Sequence, residues 1–480
     1  MGDGAGTEPG ATPDTGGPLF VSPAGEFAVS TDALQAHSDR LGHLSDQLTS
    51  DSRRLRDLPH LGSAASGATA RALSSEALLE EARTAMAAAA HVADRAKHEL
   101  SVAIVDYTWA EHEAHARALG VSQTMTATFA PFMKMFLPGA LLAGVGAAAV
   151  LKDPARQRQL GDWLMRHPEI YTSPKFVEAV RMSVMSADDA AGGMAGLPPG
   201  AMAALLASAG YVGVQGGAVL AVEGARQFGL LQETDVRIST TSSATHPATP
   251  NSAALGVEER LARVPEGDQV RIEKYDAPGA EPRYVVYVGP TETFSPALTS
   301  EPWDLSSNIG GVAGMDSASL RATEMAMTEA GITADSPVEL VGFSQGGLVA
   351  ARLAASGDWH AVGLETHGAP TGNIELPRGL AGLAIRNSDD FVPALAGPQL
   401  DHTLTQVERR AFDEGADIPT DKPGPAHQRG AYVATATAVD AAQSDAVQQQ
   451  IRFLDSFMTD YTSQEGSTVT VTKYHAERVP

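Results

Sequence analysis

Val338-Glu339-Leu340-Val341-Gly342-Phe343-Ser344-Gln345-Gly346-Gly347-Leu348-Val349-Ala350-Ala351-Arg352-Leu353 reads as three pieces in succession: a β-rich run, the pentapeptide G-x-S-x-G, and a helix. A serine hydroxyl is a poor nucleophile at neutral pH. It becomes reactive when it projects from a rigid strand-to-helix turn, where a base takes its proton and backbone N–H groups meet a developing oxyanion. Such a turn brings strand and helix so close that Gly342 and Gly346 can carry no side chain. The pentapeptide alone is a weak pattern that Gly-rich chains match by chance. The strand before it and the helix after it supply its weight. Ser344 is the candidate nucleophile, and the backbone N–H of Gln345 the candidate first oxyanion donor.

Outward from this turn, short β-rich runs alternate with helices: Val270-Arg271-Ile272, 284–288, a helix over about 317–330, 338–341, a helix over 347–355, 361–366 and 383–386. Near-continuous apolar strands alternating with helices predict a mostly parallel sheet covered on both faces, an α/β domain over 255–480. In such domains a nucleophile of this kind is followed by Asp or Glu after a later strand, then by His in a later loop. The strand Leu383-Ala384-Ile385-Arg386-Asn387 ends in Ser388-Asp389-Asp390-Phe391-Val392-Pro393. Asp390 is favoured as the orienting acid, with Asp389 the alternative; a solvated acidic turn is the plain reading of the pair. His427, in a Gly/Pro-rich loop leading into a helical run, is the favoured base, and His402 the runner-up. His360 and His367 read as packing or loop residues, and His475 lies near the C-terminus. The second oxyanion donor is expected in Gly289-Pro290-Thr291-Glu292-Thr293-Phe294. Pro290 has no N–H, so Thr291 is the candidate. Gly397 to Ala426, with Phe412 and Ile418 among many acids, is the expected cap.

The chain has 480 residues, more than one hydrophobic core usually organises. Residues 1–25 read as a Gly/Pro/Thr-rich tail with no signal peptide. Over 26–120, Leu34, Leu41, Leu48 and Leu55 recur every seventh residue, and an Ala-rich helical stretch follows the break at Leu58-Pro59, which predicts a helical hairpin. Residues 121–232 read as Ala/Gly-rich helices, so the N-terminal half is expected to be all-α. The uncharged stretches Met135–Leu151 and Ala190–Val222 are too short or too rich in Ala and Gly for a membrane span, so buried helices are favoured over insertion. The Ser/Thr/Pro-rich segment 233–254 reads as a linker. A net charge of −24 argues against nucleic acid and anionic membranes as partners. With no cysteine, disulfides and sulfur-based zinc sites are excluded, and no metal or organic cofactor is implied.

From about Gln269 to Pro480 the chain resembles actinobacterial α/β-hydrolase-fold proteins related to esterases and lipases. The resemblance lies in 284–291, in Trp303-Asp304-Leu305-Ser306-Ser307-Asn308, in the serine turn, in Gly368-Ala369-Pro370 and in Asp389-Asp390-Phe391-Val392-Pro393. The last is similar to the D-x-V-P of class 3 lipases and implies Asp390 as the acid; His427 with Tyr432 is similar to their His-containing loop. These relatives usually carry Gly-Thr where this chain has Gly289-Pro290-Thr291. The N-terminal hairpin resembles the WXG-type hairpins of type VII secretion substrates: Tyr107-Thr108-Trp109-Ala110-Glu111 matches their Y-x-x-x-D/E signal, whereas Leu61-Gly62-Ser63 stands where they have Trp-x-Gly. The expectation is a serine hydrolase that cleaves a small-molecule or lipid ester through an acyl-enzyme, with Ser344, Asp390 and His427 as its triad. The competing expectation is an interaction protein, secreted or envelope-associated, whose hairpin binds a helical protein and whose hydrolase domain is silent. A membrane-active helical hairpin delivering the hydrolase is the weakest reading. The location implied is cytoplasmic, or export by a type VII-like route.

Overall fold

The computed structural model describes residues 16–24, helical residues scattered between 45 and 90, 166–185 and 214–479. The chain divides into two compact units, Phe27–Gly120 and the remainder. Within the first unit the described residues are helical, and the Ser45 hydroxyl donates to the Ala90 carbonyl at 3.1 Å. Most of the expected hairpin, the Tyr107-to-Glu111 motif and the uncharged stretch Met135–Leu151 lie outside the described residues, as does Ala190–Val222 up to residue 213. No described helix is long and apolar enough to cross a membrane.

The second unit is a mixed α/β structure around one nine-stranded sheet. In chain order the strands are β1 (Phe20–Ser22), β2 (Val236–Pro247), β3 (Val270–Asp276), β4 (Arg283–Val288), β5 (Val338–Phe343), β6 (Ala361–His367), β7 (Ala381–Asn387), β8 (Thr405–Arg409) and β9 (Thr468–Arg478). Across the sheet their order is β1-β8-β7-β6-β5-β4-β3-β9-β2. The described helices of this unit are α1 (Pro168–Tyr171), α2 (Pro174–Met185), α3 (Val214–Arg226), α4 (Gly256–Arg263), α5 (Leu305–Val312), α6 (Ala318–Glu329), α7 (Gln345–Ser356), α8 (Arg429–Asp440) and α9 (Asp445–Thr462).

Five consecutive strands, β4 to β8, pair in parallel. The outer pairs β1/β8, β3/β4, β3/β9 and β2/β9 are antiparallel. The sheet is therefore evenly divided where a mostly parallel one was expected. Every residue of β5 is buried, as its unbroken apolar run requires, because helices cover both faces. Successive side chains of a strand point to opposite faces. Accordingly Tyr284, Val286 and Val288 join one core with α3, α5, α6 and α7, while Val285 and Tyr287 join the other with α4, α8 and α9.

The segment expected to be a linker over 233–254 contains β2, a twelve-residue edge strand paired along its length with β9. Its side chains are nearly all exposed, so no alternation of apolar residues marks it. Hydroxyl pairs hold it instead: Ser243 with Thr472 at 3.1 Å and Thr245 with Thr470 at 2.9 Å. The helices before it also belong to this unit. On α3, Val214, Ala218, Val222 and Ala225 are buried in the same core as Leu305 and Ile309 of α5. On α2, Phe176 meets Phe391 edge-on, with ring centroids 6.0 Å apart.

Candidate active site

The turn from β5 into α7 holds Ser344 at φ 55° and ψ −121°, a backbone conformation that side chains rarely adopt. The Ser344 N–H donates to the His367 carbonyl at 2.8 Å, fixing the turn to the end of β6. Glycine is obligatory on both sides. A Cβ on Gly342 would lie 2.3 Å from the Gly346 carbonyl carbon, and one on Gly346 would lie 2.0 Å from the Val288 oxygen. Close packing of α7 on β4 and β5 therefore excludes any side chain at either position.

His427 closes on the serine from a short 3-10 turn, Pro425–His427, that precedes α8. Its Nε2 lies 2.8 Å from Ser344 Oγ, and its Nδ1 lies 2.6 Å from Asp390 Oδ2. A carboxylate can only accept, so the proton on a neutral imidazole sits on Nδ1 and leaves Nε2 to receive the serine proton. The ring stacks on Phe343, with centroids 5.4 Å apart and planes 22° from parallel. His402 lies in the segment entering β8, and His475 lies on β9, separated from β5 by β3 and β4. His360 and His367 bracket β6; His367 is fully buried, with Nε2 2.9 Å from Glu365 Oε1.

The two adjacent aspartates after β7 diverge. Asp390 faces His427 and also accepts from the Tyr432 hydroxyl at 2.8 Å, while its Oδ1 accepts from the Val392 N–H at 3.0 Å. Asp389 turns the other way and accepts from the N–H groups of Ala411 and Phe412, at 2.8 and 3.0 Å. Burial pushes the Asp389 carboxyl up to about 6 despite these donors. Burial and the neighbouring Asp390 carboxylate push the Tyr432 phenol well up, so its hydroxyl remains a donor.

Three residues outside the expected set fix this geometry. The Tyr432 hydroxyl accepts from the Asn387 N–H at 3.1 Å while donating to Asp390. Asn387 Nδ2 donates to the Ala426 carbonyl at 2.8 Å, and its Oδ1 accepts from the Thr435 hydroxyl at 2.7 Å. The loop carrying His427, through Ala426, and the helix α8 that follows it, through Tyr432 and Thr435, are thus tied to the end of β7. The sequence offered one cue, Tyr432 shortly after His427; Asn387 and Thr435 had none, because their partners are distant in the chain.

The two expected oxyanion donors differ in their settings. Gln345 opens α7, and as a first-turn residue its N–H has no partner within the helix. Its side-chain amide is turned away, towards the Asp304 carbonyl and the Ser319 hydroxyl. Thr291 lines the same cavity as Ser344 and His427. The Thr291 hydroxyl accepts from Asn308 Nδ2 at 2.8 Å, which leaves its own proton free to donate. The next two N–H groups, of Glu292 and Thr293, are taken by the Trp303 carbonyl, and this pins the loop beside the N-terminus of α5.

The part of the chain expected to cap the site, Gly397 to Ala426, contains β8, a member of the sheet. Of its described residues Pro423 and Gly424 line the cavity, followed by His427 and Gln428 just beyond it. Phe412 packs with Ala411 and Ala426 in a separate small cluster. No protein-family model, no curated protein and no solved structure matches this chain.

Proposed function

We propose that this unit is an α/β-hydrolase-type serine hydrolase that cleaves carboxylic esters through an acyl-enzyme on Ser344. The observation that carries the reading is the line from Ser344 Oγ to His427 Nε2 to Asp390 at the end of an apolar cavity. The order of the parts supports the fold assignment: nucleophile after β5, acid after β7, histidine beyond β8.

In the proposed reaction Ser344 Oγ attacks the ester carbonyl as its proton passes to His427 Nε2. Asp390 holds the ring in orientation and stabilises the imidazolium. The oxyanion that forms faces the Gln345 N–H and Thr291, which donate to it in a region screened from water. The carbonyl then re-forms, the ester C–O bond breaks, and the proton on Nε2 moves to the departing alkoxide, which leaves as alcohol. Water repeats the sequence on the acyl-enzyme and releases the acid.

The test is turnover of a p-nitrophenyl ester series together with labelling by a fluorophosphonate, on the wild-type chain and Ser344→Ala. Both signals should be present in the first and absent in the second. A folded wild type that neither labels nor turns over any ester would sink the enzyme reading and favour an interaction protein.

A further inference from the structure

The cavity beside Ser344 is walled by helices that the sequence had assigned to a different part of the chain. Val214, Gly217 and Ala218 of α3 line it, with Val184 of α2. They face Ile309 and Val312 of α5, with Phe391 and Leu395 from the loop after β7 completing the wall. Among the described residues the polar side chains that line it are those of Ser344, Thr291, Asn308, His427 and Gln428, and none of the lining residues is Asp, Glu, Lys or Arg. α3 is held in place by close packing: a Cβ on Gly397 would come within 2.7 Å of Val214 Cγ2.

We propose that this cavity is an acyl pocket with α3 as its far wall, and that it takes the apolar, unbranched acyl chain of an ester, up to about six carbons. The proposal rests on the serine hydrolase reading of the same site. The size follows from the free volume of about 150 Å³, since an apolar cavity of about that volume holds one six-carbon ring. The composition excludes charged or sugar-like acyl groups, whose polar atoms would find no partners along the wall. Small residues on α3 set the depth, so Gly217 and Ala218 are specificity determinants rather than passive helix positions.

The experiment uses the full chain and two readouts. In the wild type, kcat/KM for p-nitrophenyl esters should rise about fourfold per methylene from acetate to hexanoate and then level off. Ala218→Leu should move that break about three carbons earlier, because it fills the deep end, while Ile309→Ala should move it later. In Ser344→Ala, binding of the intact esters measured by calorimetry should follow the same length dependence without any chemistry. Binding that is flat from acetate to decanoate overturns the acyl pocket whatever the wild type turns over. Length-dependent binding by Ser344→Ala with no turnover or fluorophosphonate labelling of the wild type leaves the pocket standing and removes the hydrolase reading. Unchanged breaks in both wall variants, each folded by circular dichroism, also overturn the assignment of α3.

Discussion

Replacing each of the two adjacent aspartates by asparagine separates their roles by orders of magnitude. Asp390 accepts three hydrogen bonds, from His427, Tyr432 and the Val392 N–H. An amide has one oxygen, and when that oxygen takes the Oδ1 position and meets the Val392 N–H, its NH₂ takes the Oδ2 position and points at both His427 Nδ1 and the Tyr432 hydroxyl. The imidazole must then carry its proton on Nε2, facing Ser344, where it can no longer accept one. Tautomer reversal of this kind costs about 10⁴ in kcat, or roughly 5 kcal/mol of transition-state stabilisation. Asp389→Asn leaves the imidazole untouched. It sets an NH₂ against one of the Ala411 and Phe412 N–H groups, which costs about 1–3 kcal/mol of stability and little catalysis. The assay is burst-phase release of p-nitrophenol at matched folded fraction, with stability followed by urea denaturation. A folded Asp389→Asn that loses as much activity as Asp390→Asn, or an Asp390→Asn within tenfold of wild type, would refute the reasoning.

Three further outcomes are expected. Ser344→Gly should be more stable than Ser344→Ala by about 1 kcal/mol, since glycine adopts the positive φ without strain; equal denaturation midpoints would remove the strain argument. Gly346→Ala should prevent folding or leave an insoluble chain, because its Cβ would sit 2.0 Å from the Val288 oxygen; a soluble and active variant would mean α7 can shift away from β4. The Glu339 carboxyl is pushed up to about 8 by burial, with the Arg260 guanidinium opposing. With its folded value raised, its contribution to stability is complete below about 4.5 and is lost as pH rises through about 8. Glu339→Gln should therefore gain in melting temperature relative to wild type as pH increases over that window, and a constant gap would contradict the sign.

The serine turn was legible because its chemistry is local: two glycines, a strand and a helix lie within sixteen residues of sequence. The choice between Asp389 and Asp390 was not. It depends on which way each side chain leaves the end of β7, and the deciding partners, His427 and Tyr432 against Ala411 and Phe412, are far downstream. β2 was hidden for a different reason. Period-two alternation marks a strand only when one face is buried, and beyond Ile238 this strand buries neither. The even division of the sheet was equally invisible, since apolar runs do not encode strand direction. α3 looked like part of a separate helical half because its Ala/Gly composition reports close packing without naming the surface packed against.

The short strand β1 gives the sheet a protected border. Phe20–Ser22 lies antiparallel along β8, and the Gly17 N–H continues the pairing to the Arg410 carbonyl at 2.9 Å. The opposite border, β2, is polar and is bent by an irregularity between Thr240 and Ser242, features that discourage another strand from docking there. The β8 side has no such defence of its own: Gln406 and Val407 are buried, and their strand is otherwise free to pair. A chain shortened to begin after residue 24 would leave a row of open N–H and C=O groups beside an apolar surface. Its characteristic fault would be self-association through that border, in a protein whose Ser344, His427 and Asp390 remained correctly assembled.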